Sequence, residues 1–359
     1  MLTRPSQSLW RSSRGLFLLL VGWVFVTVGA TYIRDRGQRP DRRQKIAATL
    51  VSWGLSANGV APAVSDEEVH RHVALLGSPV SEERVRAAWW LADHGVREAG
   101  PAIAVAMDDP GTLRPCQLAH NLGRLGDERW VGDLIVATTD AGNGDLQVCA
   151  TDALGELASP KSIDALVEVY RGGFAATSAL YALGKIADPS TRSFLESVAR
   201  SPRDEHERRA AEGALQRVNI MSSDDPVPTL LERVKQSHGS RGLDAWPLRK
   251  LAGIQDRRAV LVLANVLRQA EDRSESDRVL LAATLLAHGG EGATALESMI
   301  AGAPSRSSDV AAVARDALAL LDNLPTGPGV VVAGGREPAA PVRDEALKTA
   351  LPPRAAKGE

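Results

Sequence analysis

Between Trp89 and the Leu320-Leu321 pair, apolar residues recur at helical offsets, and the whole pattern returns at a much longer interval. It reads Gln117-Leu-Ala-His-Asn-Leu-Gly-Arg-Leu-Gly-Asp127, then Ala150-Thr-Asp-Ala-Leu-Gly-Glu-Leu-Ala158, then Ala179-Leu-Tyr-Ala-Leu-Gly-Lys-Ile-Ala-Asp188. Anchored on its central Leu, the pattern falls at Leu91, Leu122, Leu154, Leu183, Leu215, Leu251, Leu286 and Leu318, in steps of 31, 32, 29, 32, 36, 35 and 32 residues. Four residues before the anchors stand Ala87, Leu118, Ala150, Ala179, Ala211, Pro247, Ala282 and Ala314, so six of eight are Ala. Three residues after them, six of the eight are apolar. Offsets of four and three keep these positions on one helical face, where small residues let neighbouring helices approach and Leu fills the space between layers.

Turn chemistry follows each helix: Gly126-Asp127-Glu128, Ser159-Pro160-Lys161, Asp188-Pro189-Ser190 and Gln255-Asp256-Arg257. Gly suits a helix C-cap and Pro the first turn of the next helix. Apolar runs come next, as in Leu134-Ile135-Val136 and Val260-Leu261-Val262-Leu263, so each unit predicts helix, short turn, helix. A period of this length predicts a solenoid of stacked units, each contacting its neighbours.

The pattern resembles the HEAT repeat, and most closely the bacterial form named after phycobilisome lyase subunits, which runs roughly V-R-x-A-A-x-A-L-G-x-L-G-D-P-R-A-V. The copies at Leu122, Leu154 and Leu183 match it best, and the resemblance spans residues 66–323. It implies an all-α fold, an α-α superhelix of about eight helical pairs. Such repeats serve as binding scaffolds in unrelated settings, so the resemblance is specific for fold and weak for function. Copies five and six depart from it, with Val218-Asn219 in place of Leu-Gly and Trp246-Pro247 inside the first helix, which predicts irregular stacking there.

The two ends differ from the repeats. After a short tail (1–14), residues 15–33 carry no charge, and at 1.5 Å per residue they are long enough to cross a ~30 Å hydrocarbon core. We read this run as an N-terminal transmembrane helix or uncleaved signal anchor. The alternative is a cleaved secretory signal ending near Ala30, with Arg4, Arg11 and Arg14 as its basic region. Dense positive charge at Arg34, Arg36, Arg39, Arg42, Arg43 and Lys45 disfavours export and, by the positive-inside rule, leans toward a cytoplasmic solenoid on a bacterial inner membrane. Residues 34–65 form a basic juxtamembrane segment and linker, in which Ile46 to Trp53 is a short helix that caps the solenoid or lies on the membrane. Residues 324–359, rich in Pro, Gly and Ala, are expected to be disordered.

Composition narrows the function. With 42 basic and 44 acidic residues the net charge is −2, and no basic excess marks a phosphate-tracking surface, so no nucleic acid is expected. Two cysteines in a chain this long argue against a disulfide-stapled fold. Cys116 and Cys149 precede their anchors by six and five residues in adjacent repeats. We read them as buried small hydrophobes, with a single bridge as the alternative if the solenoid is periplasmic. His70-Arg-His72 lacks the i, i+4 spacing of a helical zinc pair, and no metal or cofactor is expected. His94 and His288, after repeat helices, read as structural. No phosphate loop, nucleophile elbow or recognisable Cys/His spacing appears, which predicts a non-catalytic chain with no small-molecule substrate.

In the resembled family the second helix of each pair lines the concave face. Two residues before each anchor stand Trp89, His120, Asp152, Tyr181, Gly213, Arg249, Thr284 and Asp316, chemically mixed where the packing positions are uniform. Aromatics and Arg are common anchors of protein recognition, so Trp89, His120, Tyr181 and Arg249 are the candidate partner-binding residues. Burial of this column between helix layers would remove that role. The expected function is a membrane-tethered scaffold binding a protein or peptide partner. The alternatives are a bilin lyase-like or other enzyme accessory subunit and, more remotely, a nucleic-acid-binding repeat protein.

Overall fold

The computed structural model describes residues 40–55, 64–140, 142–237, 242–303 and 308–321. The membrane segment read at 15–33 and the tail at 324–359 lie outside the described residues. Among those described, seventeen α-helices and four 3-10 turns account for the regular structure, there is no strand, and no helix is long and apolar enough to cross a membrane.

Helix α1 (Arg42–Ser52) precedes the pairs. The first helices of the eight pairs are α2 (Asp66–Leu75), α4 (Gly100–Asp108), α6 (Val131–Thr138), α8 (Ile163–Gly172), α10 (Arg192–Arg200), α12 (Val227–Gln236), α14 (Arg257–Arg268) and α16 (Gly289–Ala301). The second helices, which carry the repeated pattern, are α3 (Ser81–Asp93), α5 (Pro115–Arg124), α7 (Gly144–Leu157), α9 (Ala176–Ile186), α11 (Glu205–Met221), α13 (Ala245–Ile254), α15 (Glu275–Ala287) and α17 (Asp309–Leu321).

The pattern is legible in the packing. The anchors Leu91, Leu122, Leu154 and Leu183 are fully buried, as are the Ala residues around them. The Gly after the anchor sits where two second helices approach: a Cβ on Gly155 would lie 2.8 Å from the Ala182 Cα, and Gly123 and Gly184 face Ala153 and Ala214 in the same way. Four residues past the anchor the backbone turns left-handed to end the helix, at Gly95, Gly126, Ala158, Ala187 and Gln255. The next residue then starts a turn or helix: Asp127, Ser159, Asp188 and Asp256 each accept a hydrogen bond from the backbone N–H two residues on.

The stack breaks where the sequence departs from the pattern. Second helices pack side by side from α3 to α11 and again from α13 to α17, but α11 and α13 do not continue the row. One apolar cluster runs from Val73 to Val218, and a second holds Ile220 to Leu320 together with Ile46, Ala47 and Leu50 of α1. Helix α1 covers α15 and α17, with Arg42 and Arg43 paired to Asp316 at 3.1 and 3.5 Å and Lys45 to Glu275 at 2.5 Å.

The second block docks on the C-terminal ends of the second helices of the first. Arg97, just past α3, donates to Val51 O at 2.8 Å. Gly126, just past α5, lies so close to Val51 O and Ser52 that no side chain fits, and its φ of 63° independently favours Gly. Arg249 donates to Glu156 O and, at 2.9 Å, to Leu157 O. The Trp246 indole donates to Lys185 O at 3.1 Å and Lys250 to Ile186 O at 2.8 Å. Helix C-termini present unpaired carbonyls and partial negative charge, so cations and N–H donors are the side chains that can close this seam.

Candidate functional site

With the anchors turned inward, the second helices of the first four pairs expose the side chains two residues before them. Trp89 of α3 is 61% exposed and Tyr181 of α9 is 52% exposed, with His120 of α5 and Asp152 of α7 half-buried. At the N-terminal edge of the same helices Val80, Leu113 (76%) and Phe174 (68%) are also uncovered. Toward the seam the face carries paired charges, Asp93 with Arg124 and Glu156 with Lys185. An apolar edge, an aromatic middle and a neutralised charged margin therefore share one surface.

Cys116 and Cys149 lie within this surface and form a disulfide, with Cα atoms 5.2 Å apart. The reading of both as unbonded small hydrophobes is corrected. Their offsets of six and five residues put the two side chains on facing sides of neighbouring helices α5 and α7. One turn after Cys116, His120 brings its imidazole alongside: one ligand atom from each of the three residues lies within 4.8 Å of the others. Cys149 is buried, whereas Cys116 and His120 are partly open. The sequence signal was Cys116-Gln-Leu-Ala-His120, an i, i+4 pair on one helical face, with the third group a repeat away.

Three of the four candidate residues, Trp89, His120 and Tyr181, are at least partly open on this face. Arg249 is not with them, because its guanidinium is spent on the α7 carbonyls at the seam, where burial holds it below its usual pKa. Burial, with Arg249 beside it, also pushes Lys250 down to about 8. Thr284 of the same column is buried, and Asp316 is held by α1. His94 and His288 are each tied to their own helix: His94 Nδ1 meets Trp90 O at 2.7 Å and His288 Nδ1 meets Thr284 O at 2.8 Å. His72 stacks on Trp90 with ring centroids 3.8 Å apart, and its burial lowers its pKa.

The sequence matches no known protein family. No curated protein matches it either. Among solved structures it is similar to one of the complex of CpcE and CpcF of phycocyanin lyase from Nostoc sp. PCC7120, at 19% identity and a TM-score of 0.42, covering 72% of this chain and 96% of that one. It is also similar to human deoxyhypusine hydroxylase in complex with glycerol, at 21% identity and a TM-score of 0.31, covering 72% of this chain and 97% of that one. The likeness is one of helical-repeat architecture. Both are structures of enzymes, and the expectation of a non-catalytic chain is withdrawn.

Proposed function

We propose that the chain binds a protein or peptide partner on the open face of its first four pairs, through Trp89, His120 and Tyr181. The reading rests on one observation, the exposure of two large aromatics on a face whose packing positions are fully buried. Exposed aromatics clustered with apolar neighbours are what interfaces bury first, and here Leu113 and Phe174 supply the neighbours. The uncharged run at 15–33 adds a membrane tether to the proposal.

A second reading, an enzyme or enzyme accessory subunit of the lyase-like kind, is favoured by the two sulfurs and the imidazole gathered on the same face. The two readings share a surface and differ in whether the bound partner is chemically changed.

A photo-crosslinking residue placed in living cells at position 89 or 181, with position 261 of α14 as an exposed control, tests the binding face. A defined adduct from 89 and 181 that is absent from 261 supports it. Equal adducts from all three positions, or none from any, refute it. Mass analysis of the captured partner, with and without Cys116 and Cys149, separates binding alone from binding with modification.

A further inference from the structure

We infer that Cys116, His120 and Cys149 form a redox-gated site for a zinc-class divalent ion, closed when the two sulfurs are bonded to each other and open when they are reduced. The inference concerns metal chemistry; it shares His120 with the partner-binding reading but does not depend on it.

The donor set comes first. Two sulfurs and one imidazole nitrogen lie within 4.8 Å of one another in the bonded state. A tetrahedral zinc ion with bonds of about 2.3 Å to sulfur and about 2.0 Å to nitrogen places two sulfurs roughly 3.8 Å apart and sulfur and nitrogen roughly 3.5 Å apart. The cluster is therefore already at the scale of a coordination shell. Two of its members sit one helical turn apart on α5 and the third on the adjoining α7, so the backbone holds the set together when the S–S bond is absent.

Availability comes second. Among the described residues no hydrogen bond occupies the His120 ring, so its nitrogens are free to meet a metal. Cys116 stands in the first turn of α5, after Pro115, where the helix N-terminus favours the thiolate over the thiol. Cys116 and His120 are partly open, which gives an ion a route in. Three protein ligands leave a fourth position open, the arrangement of zinc sites that bind water or a substrate group rather than of closed structural sites.

Gating follows from the chemistry. A sulfur in a disulfide has no thiolate charge to donate, so the bonded pair does not bind the ion. A dithiol reductant transfers two electrons and two protons to the sulfurs and leaves as its own disulfide. The zinc ion then takes the place of both thiol protons, which pass to solvent.

Cobalt(II), a spectroscopic stand-in for zinc, tests this on the full chain. Reduced protein, freed of reductant under anaerobic conditions, is expected to bind one cobalt per chain with thiolate charge-transfer absorption, and zinc should displace it. Oxidised protein should show no such band. The His120→Ala variant keeps both cysteines and removes a partly exposed ring, and should bind at least tenfold more weakly once reduced, whereas His120→Cys should restore tight binding. Reduced protein that binds no cobalt, with or without loss of helical circular dichroism, overturns the inference. So does a band that is unchanged in His120→Ala or equally strong in the oxidised chain.

Discussion

Replacing both Cys116 and Cys149 by Ala should cost the first block a large part of its stability. The bridge closes a loop of 33 residues that holds nearly all of α5, the 3-10 turn at Glu128–Trp130, all of α6 and the start of α7. In the chain-entropy account, a loop of that size restricts the unfolded chain by about 12.5 cal/mol/K, or about 3.7 kcal/mol at 25 °C. Since total stabilities are only about 5–15 kcal/mol, this is large enough to read without ambiguity. Urea unfolding followed by far-UV circular dichroism should show a midpoint lower by about 1 M if the slope is near 3 kcal/mol/M. In a solenoid the loss is local, because the bridge matters for openings that part α5 from α7. Amide exchange in α5, α6 and α7 should therefore accelerate by up to roughly 500-fold, the factor equivalent to about 3.7 kcal/mol, while α14 to α17 change little. Reduced wild-type protein should behave like the alanine variant. A midpoint shift under about 0.3 M, or acceleration spread evenly over both blocks, would refute the entropic reasoning.

Lys250 gives a pH signature. Its folded value of about 8 lies below its ordinary value of about 10.5, so over that window the unfolded chain binds the extra proton and stability rises with pH. The gain should total about 3 kcal/mol, seen as the difference between wild type and Lys250→Met in urea melts across the window, and a constant difference would sink the assignment. Trp89→Ala combined with Tyr181→Ala should move stability by no more than about 0.5 kcal/mol yet weaken partner crosslinking from a probe at position 113 by roughly 30-fold or more, since both side chains are exposed. Loss of fold in that variant would place the aromatics in the packing instead. Gly126→Ala should both strain the left-handed turn and displace the end of α1, which limited proteolysis after α1 would report. By contrast, Ala158→Gly should leave the structure intact and raise the melting midpoint by up to about 1 kcal/mol of added stability.

The repeat was legible because its physics is local. Ala, Leu and Gly at fixed offsets are needed wherever two helices touch at close range, and Asp or Ser before the next turn caps it, so Gly155 facing Ala182 or Asp188 capping Ser190 can be read from any one copy. The docking of the second block was not legible, because Arg249 reaching Glu156 and Trp246 reaching Lys185 join residues 93 and 61 apart with no repeated spacing to announce them. Only the break at Val218-Asn219 and Trp246-Pro247 marked the place, as an irregularity without a direction. The Cys116, His120 and Cys149 cluster was missed by the reading of no recognisable Cys/His spacing: its i, i+4 half stands in the sequence as Cys116 and His120, but its third member required the register of α5 against α7.

That register also decides what the variable column can do. Read as eight equivalent positions, the column offered a surface along the whole solenoid. The folded chain spends Arg249 on the α7 carbonyls, buries Thr284 and neutralises Asp316 with α1, so the second block has little of the column left to offer a partner. In the first block the charges two residues after the anchors pair with one another, as Glu156 does with Lys185, and Trp89 and Tyr181 stay uncovered. Charges near the seam are thus consumed in pairs within each block and, through Arg249, between the two, while Trp89 and Tyr181 remain open and Cys116 and His120 partly so. A partner that fits the open part needs apolar groups for the aromatics and, where the cysteines are reduced, a ligand atom for a bound ion.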